Sequence, residues 1–205
     1  MHFLLKPRLT LMVVFAAWCG YGGGFPVALL LGTAMVAGGA CALNQVLEVH
    51  TDALMRRTCG RPLPSGRLSK PVAAAFGTGI SFLGVALLAV GTTLPAAMWA
   101  ALAWTLYLAF YTPLKRISRG SVFIGAAAGA LPPVVGCAAA GPLDWRAAWL
   151  FAILFAWQIP HFFAIVQTHR DDYIRAGIKT PQRWVALVFT VLLAVLQLAM
   201  PWVFG

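Results

Sequence analysis

Charge is scarce in this chain, and negative charge is scarcest. Only 10% of its 205 residues are charged, and five are acidic: Glu48, Asp52, Asp144, Asp171 and Asp172. A soluble domain averages about 25% charged residues. With 61% of the residues hydrophobic, a water-soluble globular fold is excluded and an integral membrane protein is expected. The four cysteines, Cys19, Cys41, Cys59 and Cys137, show no CxxC spacing. Neither a disulfide framework nor a zinc site is expected from them; three lie in or beside apolar segments, where a free Cys acts as a small hydrophobe. No low-complexity tail or soluble domain is present. Met1 to Thr10 carries no small-residue cleavage pattern, so no cleavable signal is expected and the first span would serve as the targeting element. His2 is expected to be disordered.

What is present is a series of apolar segments, at roughly 9–25, 26–43, 71–90, 94–113, 121–140, 145–166 and 184–204. The first two form one uncharged run too long for a single span. Gly22-Gly23-Gly24-Phe25-Pro26 supplies the break, Thr92-Thr93-Leu94-Pro95 turns the next pair, and Gly141-Pro142-Leu143-Asp144-Trp145 the third. Net charge is +10, but the basic residues sit in the short loops, which argues against nucleic acid as a partner. Seven spans place 14 of the 15 basic residues on one side, with only Arg146 on the other. The positive-inside rule then puts the N-terminus and those loops in the cytoplasm. The fold class expected is all-α, a bundle of about seven membrane helices around a central cavity. Small residues at Gly125 to Ala130 would let helices approach closely.

Four of the five acids fall in two clusters on that inner side. The first is Asn44-Gln-Val-Leu-Glu48-Val-His-Thr-Asp52-Ala-Leu-Met-Arg56-Arg57-Thr-Cys-Gly-Arg61-Pro62-Leu63. Residues four apart share a helix face, so Asn44, Glu48 and Asp52 are expected to form one stripe of oxygen ligands that Arg56 continues. Oxygen ligands suit Mg²⁺, which keeps phosphate oxygens in its shell. Arginine forks suit phosphate. The bland alternative is an ordinary helix end with an Asp52–Arg56 ion pair, but carboxylates near membrane depth are costly and usually functional. The second cluster is Gln167, His169, Arg170, Asp171, Asp172, Tyr173 and Arg175. It repeats the topological position of the first, so both can face one cavity; alone it could be a solvated loop cap. Tyr111-Thr-Pro-Leu-Lys115-Arg116 lies on the same side, where Lys115 and Arg116 either neutralise phosphate or simply set topology. Late in the sixth segment, Trp157-Gln158-Ile-Pro160-His161-Phe162-Phe163 places Gln158 and His161 three apart on one face beside a helix-disturbing proline. His161 is either hydrogen-bonded to a neighbouring helix or available to a large planar ring as an iron ligand. His50 lies off the carboxylate stripe and reads as structural.

The stretch Asn44 to Gly66 resembles the signature N-x-x-x-[DE]-x-x-x-D-x-x-M-x-R-T-x-x-R-P-L-x-x-G of the UbiA-type intramembrane prenyltransferases. More narrowly, the chain resembles the haem O synthase branch, the protoheme IX farnesyltransferases. Further blocks follow in the family's order: Tyr111-Thr-Pro-Leu-Lys115-Arg116; Gly125-Ala-Ala-Ala-Gly129-Ala-Leu-Pro132-Pro133-Val-Val-Gly136; and Trp157-Gln158-Ile-Pro160-His161-Phe162-Phe163 with Asp171-Asp172-Tyr173-Ile-Arg-Ala-Gly177.

The resemblance implies farnesyl diphosphate as donor, haem b as acceptor, haem O as product and Mg²⁺ as cofactor, in a bacterial inner membrane. It implies Asn44, Glu48 and Asp52 in one metal set and Asp171 and Asp172 in a second. Arg57, Arg61, Lys115 and Arg116 would contact diphosphate, and His161, with Gln158 and Tyr173, would sit near the substrates. Arg56 stands at a variable motif position, so only the helical stripe supports it. The family has nine spans, so a single domain over 1–205 lacking its last two helices is expected. Ser118 and Ser121 replace a Thr and an Asn of the pattern, and the segment after Gly177 lacks its Met-Leu-Pro. A homo-oligomer, or a haem A synthase or terminal-oxidase assembly partner, could complete the cavity. Competing readings are prenylation of a quinone or other aromatic acceptor, and a non-catalytic haem-binding oxidase-assembly protein. A small transporter fits less well, because the charges lie at one face and no discontinuous inverted repeat is evident.

Overall fold

In a computed structural model, residues 4–204 are described, and among them the chain is helical with no strand. His2 lies outside the described residues. The helices are α1 (Pro7–Tyr21), α2 (Val27–Leu47), α3 (Val49–Leu54), α4 (Lys70–Gly91) and α5 (Leu94–Leu114). They continue with α6 (Ser121–Ala130), α7 (Pro132–Ala140), α8 (Trp145–Thr168), α9 (Arg170–Arg175) and α10 (Arg183–Phe204). Their ends follow from local chemistry. Gly22, at φ 83°, closes α1 in the left-handed conformation that glycine adopts freely. The Thr93 side chain accepts from the Ala96 N–H to cap α5, and Asp144 accepts from the Arg146 N–H to cap α8. All three expected turns therefore form.

Six helices are long and apolar enough to cross a membrane: α2, α4, α5, α6 with α7, α8 and α10. This is an integral membrane protein. The first expected segment forms α1, whose 15 residues fall short of the roughly 20 that span a bilayer. It packs along α2 and α7. Two helices depart from simple geometry. A π-helical stretch, Leu106–Tyr111, runs within α5, as often seen at functional sites. In contrast, α8 continues through Pro160 without a break, although proline removes one backbone donor there.

Glycine sets the tightest crossings. A Cβ on Gly39 of α2 would lie 2.7 Å from the Gly77 carbonyl oxygen of α4, and one on Gly136 of α7 only 1.8 Å from the Ala17 carbonyl oxygen of α1. No side chain fits at such backbone contacts. The main core joins Ala17, Leu29, Val36, Leu88, Ala97, Ala100 and Val135. Large apolar side chains such as Phe82, Val90 and Leu198 are exposed, as suits a surface that meets lipid.

Candidate active site

The helix carrying the first acid cluster breaks once. At Glu48 the backbone takes φ −104°, ψ 11°, which separates α2 from α3. The i→i−4 hydrogen bonds nevertheless persist across the break: the Glu48 N–H donates to the Asn44 carbonyl at 3.0 Å and the Asp52 N–H to that of Glu48 at 2.7 Å. The expected alignment of Asn44, Glu48 and Asp52 survives for that reason. All three are buried, at 2%, 8% and 4% exposure.

Each of the three meets a cation from a different part of the chain. Lys6 Nζ donates to Asn44 Oδ1 at 3.1 Å, Lys115 pairs with Glu48, and Arg61 Nη1 lies 2.7 Å from Asp52 Oδ2. Buried carboxylates need such partners, since an unpaired charge in low dielectric is costly. Asn44 Nδ2 also donates to Thr112 Oγ1 at 3.2 Å, and the Thr112 hydroxyl donates to the Tyr107 carbonyl at 2.7 Å. The π-helical stretch is thereby tied to the site. Tyr107 and Tyr111 stack with centroids 5.9 Å apart, and Lys115 Nζ stands 5.6 Å from the Tyr111 ring centre.

Lys6 is a site residue that sequence reasoning missed. It was fully explained as a topology-setting charge, and nothing in its spacing pointed 38 residues away to Asn44. The chain before α1 is folded in: Leu4 is buried and its carbonyl accepts from Gln45 Nε2 at 2.8 Å. Burial pushes the Lys6 ammonium below its ordinary value; the Arg61 charge adds to this, and Glu48 and Asp52 oppose it.

Arg56 does not continue the stripe. Helix α3 ends at Leu54, so Arg56 and Arg57 lie in a turn and are exposed. The expected Asp52–Arg56 pair is replaced by Asp52–Arg61. Thr58 Oγ1 secures the turn by donating to the Asp52 carbonyl at 2.7 Å.

That turn docks onto the second cluster. The Arg56 N–H donates to Asp172 Oδ1 at 3.0 Å and the Arg57 N–H to Asp172 Oδ2 at 3.3 Å. Arg175 also bonds Asp172. Burial alone would raise the Asp172 carboxyl, but the two N–H groups and Arg175 outweigh it and hold the group below its ordinary value. Asp171, one residue earlier, is exposed. Tyr173 is buried against Met55 and meets the Phe162 ring edge-on at 6.0 Å. The two clusters therefore adjoin, as expected. A cavity of about 510 Å³ opens between them, lined by Arg56, Arg57, Gln167, His169, Arg170, Asp171 and Arg175 among others.

The remaining expected residues are dispersed. Arg116 is exposed. Gln158 packs onto Gly129 of α6, where a Cβ would stand 2.3 Å from its Nε2. His161 is exposed and stacks on Trp157, with centroids 4.3 Å apart and planes 15° apart.

Among the described residues no three His, Cys, Asp or Glu side chains group closely enough to hold a metal ion by themselves. The set that fits Mg²⁺ is the buried one, in which two carboxylates and an amide oxygen already attract positive charge. Asp172 fits less well, because N–H donors occupy both its oxygens.

Residues 9–205 match the UbiA prenyltransferase family. The chain belongs to this family. It is 47% identical to the protoheme IX farnesyltransferase of Geobacter sulfurreducens, over 85% of this chain and 67% of that one. With the protein of that name from Solibacter usitatus it shares 42% identity over 86% of this chain and 66% of that one. Against the mitochondrial protoheme IX farnesyltransferase of Arabidopsis thaliana, identity is 40% over 86% of this chain and 43% of that one. The chain thus spans about two thirds of the length of these bacterial relatives and less than half of the plant one. The fold is that of a UbiA homologue from Archaeoglobus fulgidus bound to DMAPP and Mg²⁺, with a TM-score of 0.75 at 16% identity over 96% of this chain and 84% of that one. The apo structure of a UbiA homologue from Aeropyrum pernix K1 matches with a TM-score of 0.74 at 15% identity, over 98% of this chain and 81% of that one.

Proposed function

We propose that this chain transfers a farnesyl group from farnesyl diphosphate to a vinyl group of haem b, giving haem O. The observation that carries a prenyl-diphosphate reaction is the buried oxygen set Asn44, Glu48 and Asp52, ringed by Lys6, Lys115 and Arg61. The acceptor follows from the names of its relatives, which are protoheme IX farnesyltransferases.

Asn44, Glu48 and Asp52 would hold Mg²⁺, with Asp171 contributing from the cavity side. Bound there, the metal neutralises charge on the leaving diphosphate. Lys115, Arg57 and Arg61 bind and orient the diphosphate oxygens, the two arginines with bidentate geometry. The allylic C–O bond then breaks and the electron pair leaves with diphosphate. The stacked rings of Tyr107 and Tyr111 present π-faces that favour the allylic cation. The apolar helix walls keep water from it. The haem vinyl carbon attacks the allylic carbon; water adds to the resulting cation and loses one proton, leaving a hydroxyfarnesylethyl group. Asp172 acts on the site through the backbone of residues 56 and 57. The basic loops lie on the cytoplasmic face of a bacterial inner membrane by the positive-inside rule.

The test is a product assay on the purified chain with haem b, farnesyl diphosphate and Mg²⁺, read by chromatography and mass spectrometry. Haem carrying the hydroxyfarnesyl mass, abolished by EDTA, is expected. Bound haem with no such product would sink the proposal.

A further inference from the structure

We propose that the cavity beside α9 binds the two carboxylates of the haem, so that the macrocycle lies along the exposed face of α8 with its propionate edge towards the loops. This rests on haem being the acceptor, and adds the site and orientation in which it is held. Three observations converge. First, the cavity carries more positive than negative charge that is free to bind. Arg175 is paired with Asp172, whereas the guanidinium groups of Arg56, Arg57 and Arg170 have no acidic partner among the described residues. Asp171 is the one acid in the cavity without an ion pair. A ligand edge bearing two carboxylates complements this balance, and arginine forks bind carboxylates in bidentate fashion. Second, the size suits a ligand group, since about 510 Å³ lies within the roughly 300–1,000 Å³ of small-molecule pockets.

Third, the cavity continues onto a flat aromatic surface. Thr168 lines the cavity. Trp157, His161, Ala164 and Thr168 follow one another at helical spacing and are all exposed, so they share one face of α8. Eleven residues at 1.5 Å rise span about 16 Å. At the far end, Trp157 and His161 lie nearly parallel, 15° apart, and offer a plane on which a conjugated ring can stack. Ala164, between them and the cavity, is too small to obstruct it. A molecule that is flat and apolar over most of its area, and doubly anionic at one edge, matches this face from end to end. Arg170 is the diagnostic residue, because it lies in the cavity but outside the arginine motif assigned to diphosphate.

The experiment titrates the purified full chain with haem b and with its dimethyl ester, followed by the Soret band, in the native sequence and in Arg170→Ala and Arg170→Glu. One lost charge-assisted contact should weaken haem b binding about tenfold in Arg170→Ala, and Arg170→Glu should weaken it further. Ester binding should be weaker in the native chain and indifferent to either substitution. Saturation by farnesyl diphosphate should not change. Equal weakening of haem b and ester, or weakened saturation by farnesyl diphosphate alone, would overturn the assignment. Ester discrimination without any farnesylated product would leave the cavity standing and sink the proposed reaction. Farnesylation of ester as efficient as that of haem b would do the reverse.

Discussion

Lys115 offers the sharpest test of the idea that protein cations hold the metal-site carboxylates in check. Its ammonium pairs with Glu48, and the two side chains retain only 12% and 10% exposure. Lys115→Met keeps most of the stem volume and removes the charge. It leaves Glu48 buried without a partner, which for such a pair costs about 3 kcal/mol. For a chain of this length, 1 kcal/mol shifts Tm by about 2–4 °C, so Lys115→Met should unfold about 6–12 °C earlier in detergent. Two further measurements separate this cause from lost packing. Glu48→Gln combined with Lys115→Met removes both charges and should recover most of the loss. Mg²⁺ alone should raise the Tm of Lys115→Met more than that of the native chain, because it restores positive charge beside Glu48. Differential scanning fluorimetry reads all four proteins with and without Mg²⁺. A single variant as stable as the native chain, or a double variant no better than the single, would refute the reasoning.

Asp52→Ala should lower prenyl-transfer turnover by at least about 100-fold while the protein stays inserted and helical, as turnover and circular dichroism would show. Arg61→Lys keeps the charge but loses the fork that reaches Asp52 at 2.7 Å; about a tenfold loss in kcat/KM for farnesyl diphosphate is expected, and an unchanged value would reduce Arg61 to a topology-setting charge. Asp172→Ala frees the Arg56 and Arg57 amides, so trypsin should cut after these arginines faster while the Mg²⁺ requirement stays put. Native-like resistance with a raised Mg²⁺ requirement would instead make Asp172 a metal ligand. Gly136→Ala forces a Cβ onto a backbone oxygen, whereas Gly129→Ala meets only the flexible end of Gln158; thermal melts should show about 1–3 kcal/mol lost in the first and under about 1 kcal/mol in the second.

Which parts of the site could be read beforehand follows from what local spacing controls. The oxygen set was legible because i,i+4 spacing is enforced by backbone hydrogen bonds, and those bonds survive the break at Glu48. The same spacing failed for Arg56, because it holds only while the helix does, and α3 ends at Leu54. Beyond that point a turn decides, and it carries Arg61 back to Asp52, nine residues away. In the Asp171–Asp172 pair, neighbours on a helix point about 100° apart, so one acid faces the Met55–Arg57 turn while the other is exposed. Nothing in the adjacent letters says which. The counter-ions were least legible of all. The positive-inside rule explains 14 basic residues equally well, and that sufficiency concealed a second role for some of them. Lys6, Arg61 and Lys115 come from three different inner-side segments, and only the close helix crossings allowed by Gly39, Gly77 and Gly136 bring those segments together around α2. The oxygens of the proposed metal site are thus encoded locally, while their charge balance is encoded in helix packing, so a substitution at a distant glycine crossing should disturb the balance without touching a ligand.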